Sequence, residues 1–495
     1  MAPTNLYRAH VRVRVAVGVV LLLAAPLAAP GFAASLPDSL FTTNWYTVSV
    51  MGNRSGYSCQ TLRREASGVE SFEQTVLRVK MGATVLTAAR EERRHYDANL
   101  RLLSIEHKAD QVGRKLQISV IREGDKLRYV RTAPDGETRQ QIDVPANFGQ
   151  ELEVLQAITR GDVRQGWKSS FITFDCDLLK LDTVSLNVIE PVTSPRAGWL
   201  LGAKSKLLDL ETRTWIAADG TLLRQEIPGM MGMCLQLATE QEALAQVSPL
   251  LMSTEIPVDR QMGEPSLLKT VTLRARARTG SASDVIPTTP RQTIAVDGQV
   301  TIVTVQAETL PELTAKLPIR QSELQPYLQA SDLAQSQDPQ IRAKAQAIVG
   351  GETDAWQAAL KLLRWVYGEM AKVDSEPRPV SATEILKSMR GDCTEHAILY
   401  AALAQAVGRP VKLAAGLAYA DGAYHYHAWN EVYVGRWVEV DPTWGEETVD
   451  AGHLQISSAA LDETSVARLS LASGKTMGSL ELQIVAFQGT KGAQK

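Results

Sequence analysis

The chain has 495 residues, enough for about three domains, and its 44% apolar and 22% charged residues are ordinary globular values. That composition excludes bulk disorder and a collagen-like repeat, and a formal charge of −3 argues against a nucleic-acid partner, which calls for a basic excess. Four cysteines are too few for a disulfide scaffold, and none is spaced as a zinc-ligand pair, so no metal site is expected. Of seven histidines, four (His396, His425, His427 and His453) follow Cys393 within the last 100 residues.

Residues 1–33 read as an export signal. Arg8, Arg12 and Arg14 make a basic start, Val15 to Ala25 is an apolar run of eleven residues, and Gly31-Phe32-Ala33 puts small residues at the cleavage positions. Eleven residues fall short of the roughly 20 that a spanning helix needs. Retention as an uncleaved membrane anchor is the alternative. Removing three Arg and no acid takes the formal charge from −3 to −6. The mature chain is expected in the periplasm or outside the cell, with no membrane span. Among Cys59, Cys176 and Cys234, one bridge with a leftover thiol and three buried thiols are both open.

Residues 36–250 are expected to form an antiparallel β domain. Tyr46, Val48 and Val50 alternate with polar or small neighbours, and turn chemistry recurs at Asn53-Arg54-Ser55-Gly56, Glu123-Gly124-Asp125, Pro134-Asp135-Gly136 and Asp219-Gly220. One helix interrupts around residues 150–159. No catalytic residue types gather here, which suits packing, spacing or an envelope partner. Residues 251–330, with Pro257, Pro265, Pro287 and Pro290, read as a connector holding a few strands, including a hairpin at Val296-Asp297-Gly298-Gln299.

From 331 to 495 the pattern turns helical, with a strand at the end, predicting an α+β domain. Asp338-Pro339 supplies an N-cap and a Pro at the first position, and Gly350 stops that helix. Trp356, Leu360, Leu363, Tyr367 and Met370 then share one helical face, a core stripe. Ser381-Ala382-Thr383-Glu384 is a capping box for a short third helix, and Gly391 sits at its end.

Asp392-Cys393-Thr394-Glu395 opens a fourth helix with Cys393 at its first position. The helix dipole and free N–H groups there favour a thiolate, and with a His partner such sites lower a thiol from about 8.5 to roughly 3.5–7.5. Two strands follow, Tyr424 to Val434 and Trp437 to Asp441. His425, His427 and Trp429 share a face of the first, and Asp441 ends the second. A cysteine, a histidine and an acid so arranged are the parts of an activated thiol nucleophile.

These blocks resemble the transglutaminase-like superfamily, a branch of the papain-like cysteine-enzyme architecture. The resemblance rests on Gly391-Asp392-Cys393, His427-Ala428-Trp429 and Asp441-Pro442-Thr443, in that order, with 34 residues from Cys393 to His427 and 14 more to Asp441. It covers residues 335–460. It implies Cys393 as nucleophile, His427 as base and Asp441 as orienting acid, with a protein or peptide substrate. His425 is the alternative base, His396 a packing histidine, and His453 resembles a structural position of bacterial relatives. The Cys393 N–H is one oxyanion donor, and Trp356 or Tyr367 are the candidates for the second. Animal members use calcium, but no EF-hand-like acidic loop is visible here, so no cofactor is implied. Water resolving a thioester gives a peptidase or amidase, the favoured reading; an amine gives cross-linking. An idle triad on a scaffold protein is the remaining alternative.

Strand alternation constrains the triad further. A two-residue Gly435-Arg436 loop puts His427 and Asp441 on opposite faces. A Tyr433-Val434-Gly435 loop sets them directly opposite each other, and a Val434-Gly435-Arg436 loop places them diagonally on one face. An odd loop count or a bulge is therefore predicted, with His427 and Asp441 on one face and Cys393 facing His427.

Overall fold

The structure, a computed structural model, describes residues 36–81, 84–111, 114–133, 136–246, 249–251, 255–278, 280–373 and 381–489. Residues 1–33, expected as an export signal, Pro134-Asp135 of one expected turn and Thr279 of the expected connector lie outside them. The described chain falls into two compact units, one ending at 251 and the other beginning at 255.

The first unit is built on β1 (Thr43–Val50), β2 (Asn53–Glu65), β3 (Gly68–Met81), β4 (Thr84–Asp97), β5 (Leu102–Gln111), β6 (Arg114–Glu123), β7 (Lys126–Ala133) and β8 (Gly136–Asp143). Helix α1 (Leu152–Arg160) separates these from β9 (Lys168–Asp175), β10 (Lys180–Val192), β11 (Gly198–Ser205), β12 (Leu210–Ala217), β13 (Leu222–Ile227) and β14 (Met233–Ala238). Each strand pairs antiparallel with its predecessor within each run, and β1 joins β14, giving the order 8-7-6-5-4-3-2-1-14-13-12-11-10-9. A short α2 (Glu240–Leu244) and β15 (Leu250–Leu251), parallel to β3, complete the unit. The sheet curls on itself: Arg94 of β4 reaches Thr173 of β9 at 2.7 Å although many strands separate them in that order. Inside the curl, Leu152, Val154, Leu155 and Ile158 of α1 meet Ile118, Val120, Phe171 and Phe174 in one core.

Turn chemistry places most of these hairpins. Gly124-Asp125 links β6 to β7, and the Asp219-Gly220 turn lies between β12 and β13, with both glycines at positive φ. The Asn53–Gly56 expectation is corrected. The turn is Met51-Gly52, at φ 50 and 73, and Gly56 lies inside β2. A Cβ there would sit 1.9 Å from the Val76 carbonyl oxygen, so that glycine serves close strand approach rather than a turn. Cys59, Cys176 and Cys234 are free thiols, which removes the bridge alternative.

The second unit contains β16 (Glu255–Pro257), β17 (Leu268–Ala277), β18 (Gln292–Asp297) and β19 (Val300–Gln306) before its helices. Then come α3 (Pro339–Val349), α4 (Ala355–Glu369), β20 (Ala371–Lys372), α5 (Ala382–Ser388), β21 (Arg390–Gly391) and α6 (Cys393–Ala406). Strands β22 (Val411–Ala420), β23 (Ala423–Tyr433), β24 (Trp437–Val440) and β25 (His453–Ala459) follow, then α7 (Glu463–Thr476) and β26 (Leu480–Gly489). The residues expected as a connector are built into this unit. β16 pairs with β23, and β17 lies between β19 and β26. Alternation explains the join: Leu268, Val271, Leu273 and Ala275 are buried against that sheet's partners, an apolar face that a free linker would leave in water.

The helices begin and end as their caps dictate. Asp338 accepts from the N–H groups of Gln340 and Ile341, and Ser381 and Glu384 close a capping box. On α4, Trp356, Leu360 and Leu363 are buried, as is Met370 at its C-cap, whereas Tyr367 is 44% exposed and leaves the stripe.

Candidate active site

The site is assembled around the first turn of α6. Asp392 caps the helix, its Oδ1 accepting from the Thr394 N–H at 2.8 Å, and Glu395 Oε2 accepts from the Asp392 N–H at 2.8 Å. Gly391 is required beside that box, because a Cβ on it would lie 2.3 Å from Cβ of Glu395. Cys393 is thereby fixed at the first helical position and is fully buried.

Strand β23 presents an interrupted edge to this thiol. β22 covers one edge from 423 to 432, while the other is covered by β16 at 423–425 and by β24 at 430–433. In the gap, the N–H of Ala428 hydrogen-bonds the sulfur of Cys393. The residue before it is His427. Gly416, opposite His427 on β22, leaves room for Trp429, whose Cη2 would be 2.9 Å from an added Cβ.

The β23–β24 loop is Val434-Gly435-Arg436, with Tyr433 paired to Trp437 and Gly435 at φ 116. The count is odd. His427 and Asp441 therefore share a face diagonally, and Nε2 of His427 lies 2.8 Å from Oδ2 of Asp441. Oδ1 of Asp441 accepts from the N–H groups of Thr443 and Trp444 at 2.7 and 3.2 Å. Nδ1 of His427 is buried without a hydrogen-bond partner among the described residues.

His453, on β25, completes the cluster. Its Nε2 lies 3.5 Å from Oδ2 of Asp441, and its Nδ1 lies 3.3 Å from Asp450 and 3.9 Å from Glu446. Burial opposes charge on this imidazole, but Glu446, Asp441 and Asp450 outweigh it and raise the group to about 10. Burial also works to raise Asp441, yet His427 and His453 hold its carboxyl well below the usual carboxylate range. The three side chains are close enough to share a cation, but Oδ2 of Asp441 is already engaged by His427.

Cys393 departs from the expected lowered thiol. Burial raises its pKa well above the ordinary value, Asp392, Asp441 and Glu395 add to the rise, and only the Ala428 N–H opposes it among the main influences. Desolvation of a fully buried sulfur beside three acids overrides the helix terminus.

Aromatic rings screen the cluster. Trp444 stacks on His427 with centroids 4.6 Å apart, and His453 meets Trp444 edge-on at 5.2 Å. Trp429 donates its indole N–H to Glu439 at 2.8 Å, and Glu439 in turn takes a two-pronged ion pair from Arg291 at 2.9 and 2.6 Å. Arg291 comes from the stretch read as a connector. Sequence reasoning missed it, together with Trp444. The Thr443-Trp444 pair directly after Asp441-Pro442 is the signal that points to the latter.

The remaining candidates stand apart. His425 shares the strand face of His427, but its Nε2 meets the Ala420 carbonyl at 3.2 Å, its Nδ1 lies 3.8 Å from Glu255, and burial lowers its pKa. Trp356 is packed in the α4 core. Tyr367 lays its ring against Gly445 and under the Lys372 ammonium, 4.2 Å from the ring centroid. Among the described residues neither hydrogen-bonds Cys393. His396 bonds the Asp392 carbonyl through Nδ1 at 2.7 Å and is fully buried, in keeping with a packing histidine.

No curated protein matches the chain by sequence. A solved structure from Cytophaga hutchinsonii, provisionally described as a cysteine protease, is 15% identical over 46% of this chain and 89% of its own, with a TM-score of 0.31. A β-barrel-like protein of unknown function from Brucella abortus is 10% identical over 40% of this chain and 95% of its own, also at 0.31. A provisionally described protease from Parabacteroides distasonis is 10% identical over 67% of each chain, at 0.18. Likenesses of this size carry nothing about activity. The family comparison is more direct: residues 342–442, which contain Cys393, His427 and Asp441, match the model of the transglutaminase-like superfamily.

Proposed function

We propose that the second unit is a cysteine-dependent enzyme that attacks peptide or side-chain amides through a thioester on Cys393 and resolves it with water. The observation that carries this reading is the division of labour on His427. One ring nitrogen is pinned by Asp441 and the other is buried and uncommitted, beside the peptide whose N–H holds the Cys393 sulfur.

The steps follow from those atoms. His427 Nδ1 takes the thiol proton as sulfur bonds to the amide carbon, so charge appears on both groups together and the resting thiol stays neutral. The Cys393 N–H, at a helix position with no partner inside the helix, faces the developing oxyanion. His427 returns the proton to the departing amine as the C–N bond breaks. Water then adds to the thioester with His427 as base, and the carbon–sulfur bond breaks to restore the thiol. Asp441 fixes the imidazole tautomer throughout. An amine in place of water gives transamidation from the same intermediate. The sequence supports export to the periplasm or beyond, so the substrate class is an envelope or extracellular protein, and the β unit offers the surface for an envelope partner.

The test is to incubate the full chain with casein in the presence of dansylcadaverine, reading new amino termini and released ammonia against dansyl incorporation. Wild type is expected to generate termini or ammonia in excess of label, and Cys393→Ser to do neither. Turnover by the Ser variant equal to wild type sinks the reading, and label in excess replaces hydrolysis with transfer.

A further inference from the structure

The first unit encloses a cavity of about 120 Å³ that the chemistry above does not use. Part of its wall is apolar, with Leu62, Phe72, Phe171 and Ile216. The rest is dominated by acids: Glu73, Glu92, Glu151, Asp175 and Asp182, against Arg90 and Arg94. Both guanidiniums already serve carboxylates, Arg90 on Glu92 at 2.7 Å and Arg94 on Glu92 at 2.8 Å and on Glu151. Asp182 is engaged by the Ser205 hydroxyl at 2.6 Å and the Leu207 N–H at 2.8 Å.

What is left over is acceptors. Glu73 Oε1, Glu151 Oε2 and Gln225 Oε1 are buried with no donor among the described residues, and they outnumber the wall's unanswered donors, of which Gln60 Nε2 is one. Glu151 and Gln225 are only 4% and 2% exposed, and buried polar atoms of this kind are ordinarily satisfied. An ammonium group carries three donors and no acceptor, which matches the three unanswered acceptors. The space is a little smaller than the apolar cavity of about 150 Å³ that takes up benzene, the scale of a molecule with about five non-hydrogen atoms.

We propose that this cavity binds a small primary alkylammonium, its charged head on Glu73, Glu151 and Gln225 and its carbon chain against Leu62, Phe72 and Phe171. Two carboxylates and an amide oxygen select a cation over a neutral or anionic isostere, and the short apolar wall limits chain length. Burial raises the Glu73 carboxyl to about 7 despite Arg90, so arrival of an ammonium there ionises a site that is otherwise half protonated near neutrality.

The test uses the full chain carrying Cys393→Ser, so that no amine is consumed at the thiol, titrated calorimetrically with n-butylammonium chloride, butan-1-ol and sodium butyrate at matched ionic strength. The expected result is saturable binding of butylammonium at least tenfold tighter than either isostere, weakened at least tenfold by Glu73→Gln. Leu62→Trp fills the apolar end while leaving every acid, and is expected to abolish binding; it decides the matter if Glu73→Gln does not fold by circular dichroism. Equal binding of butan-1-ol, or butylammonium binding untouched by the folded variants, overturns the proposal. No saturable heat leaves ordered water as the occupant and overturns it as well.

Discussion

One oxygen of Asp441 serves two imidazoles: Oδ2 lies 2.8 Å from Nε2 of His427 and 3.5 Å from Nε2 of His453. Asp441→Asn replaces that oxygen or its partner with an NH2 group, which donates and cannot accept, so a donor then faces either the His427 N–H or the N–H groups of Thr443 and Trp444. The His427 tautomer set by the acid is then lost. Activity is expected to fall by on the order of 10³–10⁴ in kcat/KM, the scale of a mis-set tautomer in a triad, with the far-UV spectrum unchanged. A loss under tenfold removes Asp441 from the mechanism.

His453 gives a pH dependence with a definite sign. Its imidazole is raised to about 10 in the fold from an ordinary 6.5, so its contribution to stability is complete below about 6.5 and is lost as pH climbs to about 10. Glu446, raised by burial, works in the same direction, since its proton is held more tightly in the fold. Urea midpoints of the second unit are expected to fall steadily from pH 6.5 to 10, and more shallowly in His453→Gln. A flat profile in the wild type contradicts a buried imidazolium.

The resting thiol is expected to be neutral. Absorbance near 240 nm, recorded as wild type minus Cys393→Ser, is expected to show no thiolate step between pH 4 and about 8.5, the ordinary cysteine value. A step between about 4 and 7 would show that the ion pair is preformed and that burial does not govern this sulfur.

Arg291 tests the wall behind the site. Its guanidinium and Glu439 are 5% and 7% exposed, so Arg291→Ala strands a buried carboxylate that also holds the Trp429 indole. Loss of about 3–5 kcal/mol is expected from the unfolding transition followed by tryptophan fluorescence. The double replacement Arg291→Met with Glu439→Leu is expected to recover most of it. Failure to recover assigns the loss to shape rather than to the stranded charge.

The parts of the site that rest on local rules are the parts visible in the sequence. Asp392 and Glu395 cap α6 because capping depends on residues three apart, and the same logic places Ser381, Glu384 and Asp338. The odd β23–β24 loop follows from alternation once His427 and Asp441 must share a face, although whether residue 433 or 436 joins the loop does not; the pairing of Tyr433 with Trp437 decides it. Arg291 and His453 reach the site from separate strands or turns, brought in by sheet pairings that no local pattern encodes. The thiol is the sharpest case. Position at a helix start is local and favours ionisation, whereas total burial is a property of the assembled fold and wins. Within the β unit, glycines at turns and glycines at close strand approaches look alike in sequence, which is why Gly56 misleads and Gly124 does not.

The pairing of β17 with β26 also fixes an order of events during synthesis. Leu268–Ala277 leaves the ribosome about 200 residues before the strand that covers its second edge, Leu480–Gly489. Closing so long a loop adds little thermodynamic penalty, because the entropy grows only with the logarithm of length, but non-local strand pairing is slow. Until it happens, β17 offers an open row of backbone donors and acceptors next to buried Val271 and Leu273, a template for other chains. The edge therefore stays open throughout the synthesis of Cys393, His427 and Asp441, so a chaperone that guards it would have to hold the chain while the thiol cluster is still being translated.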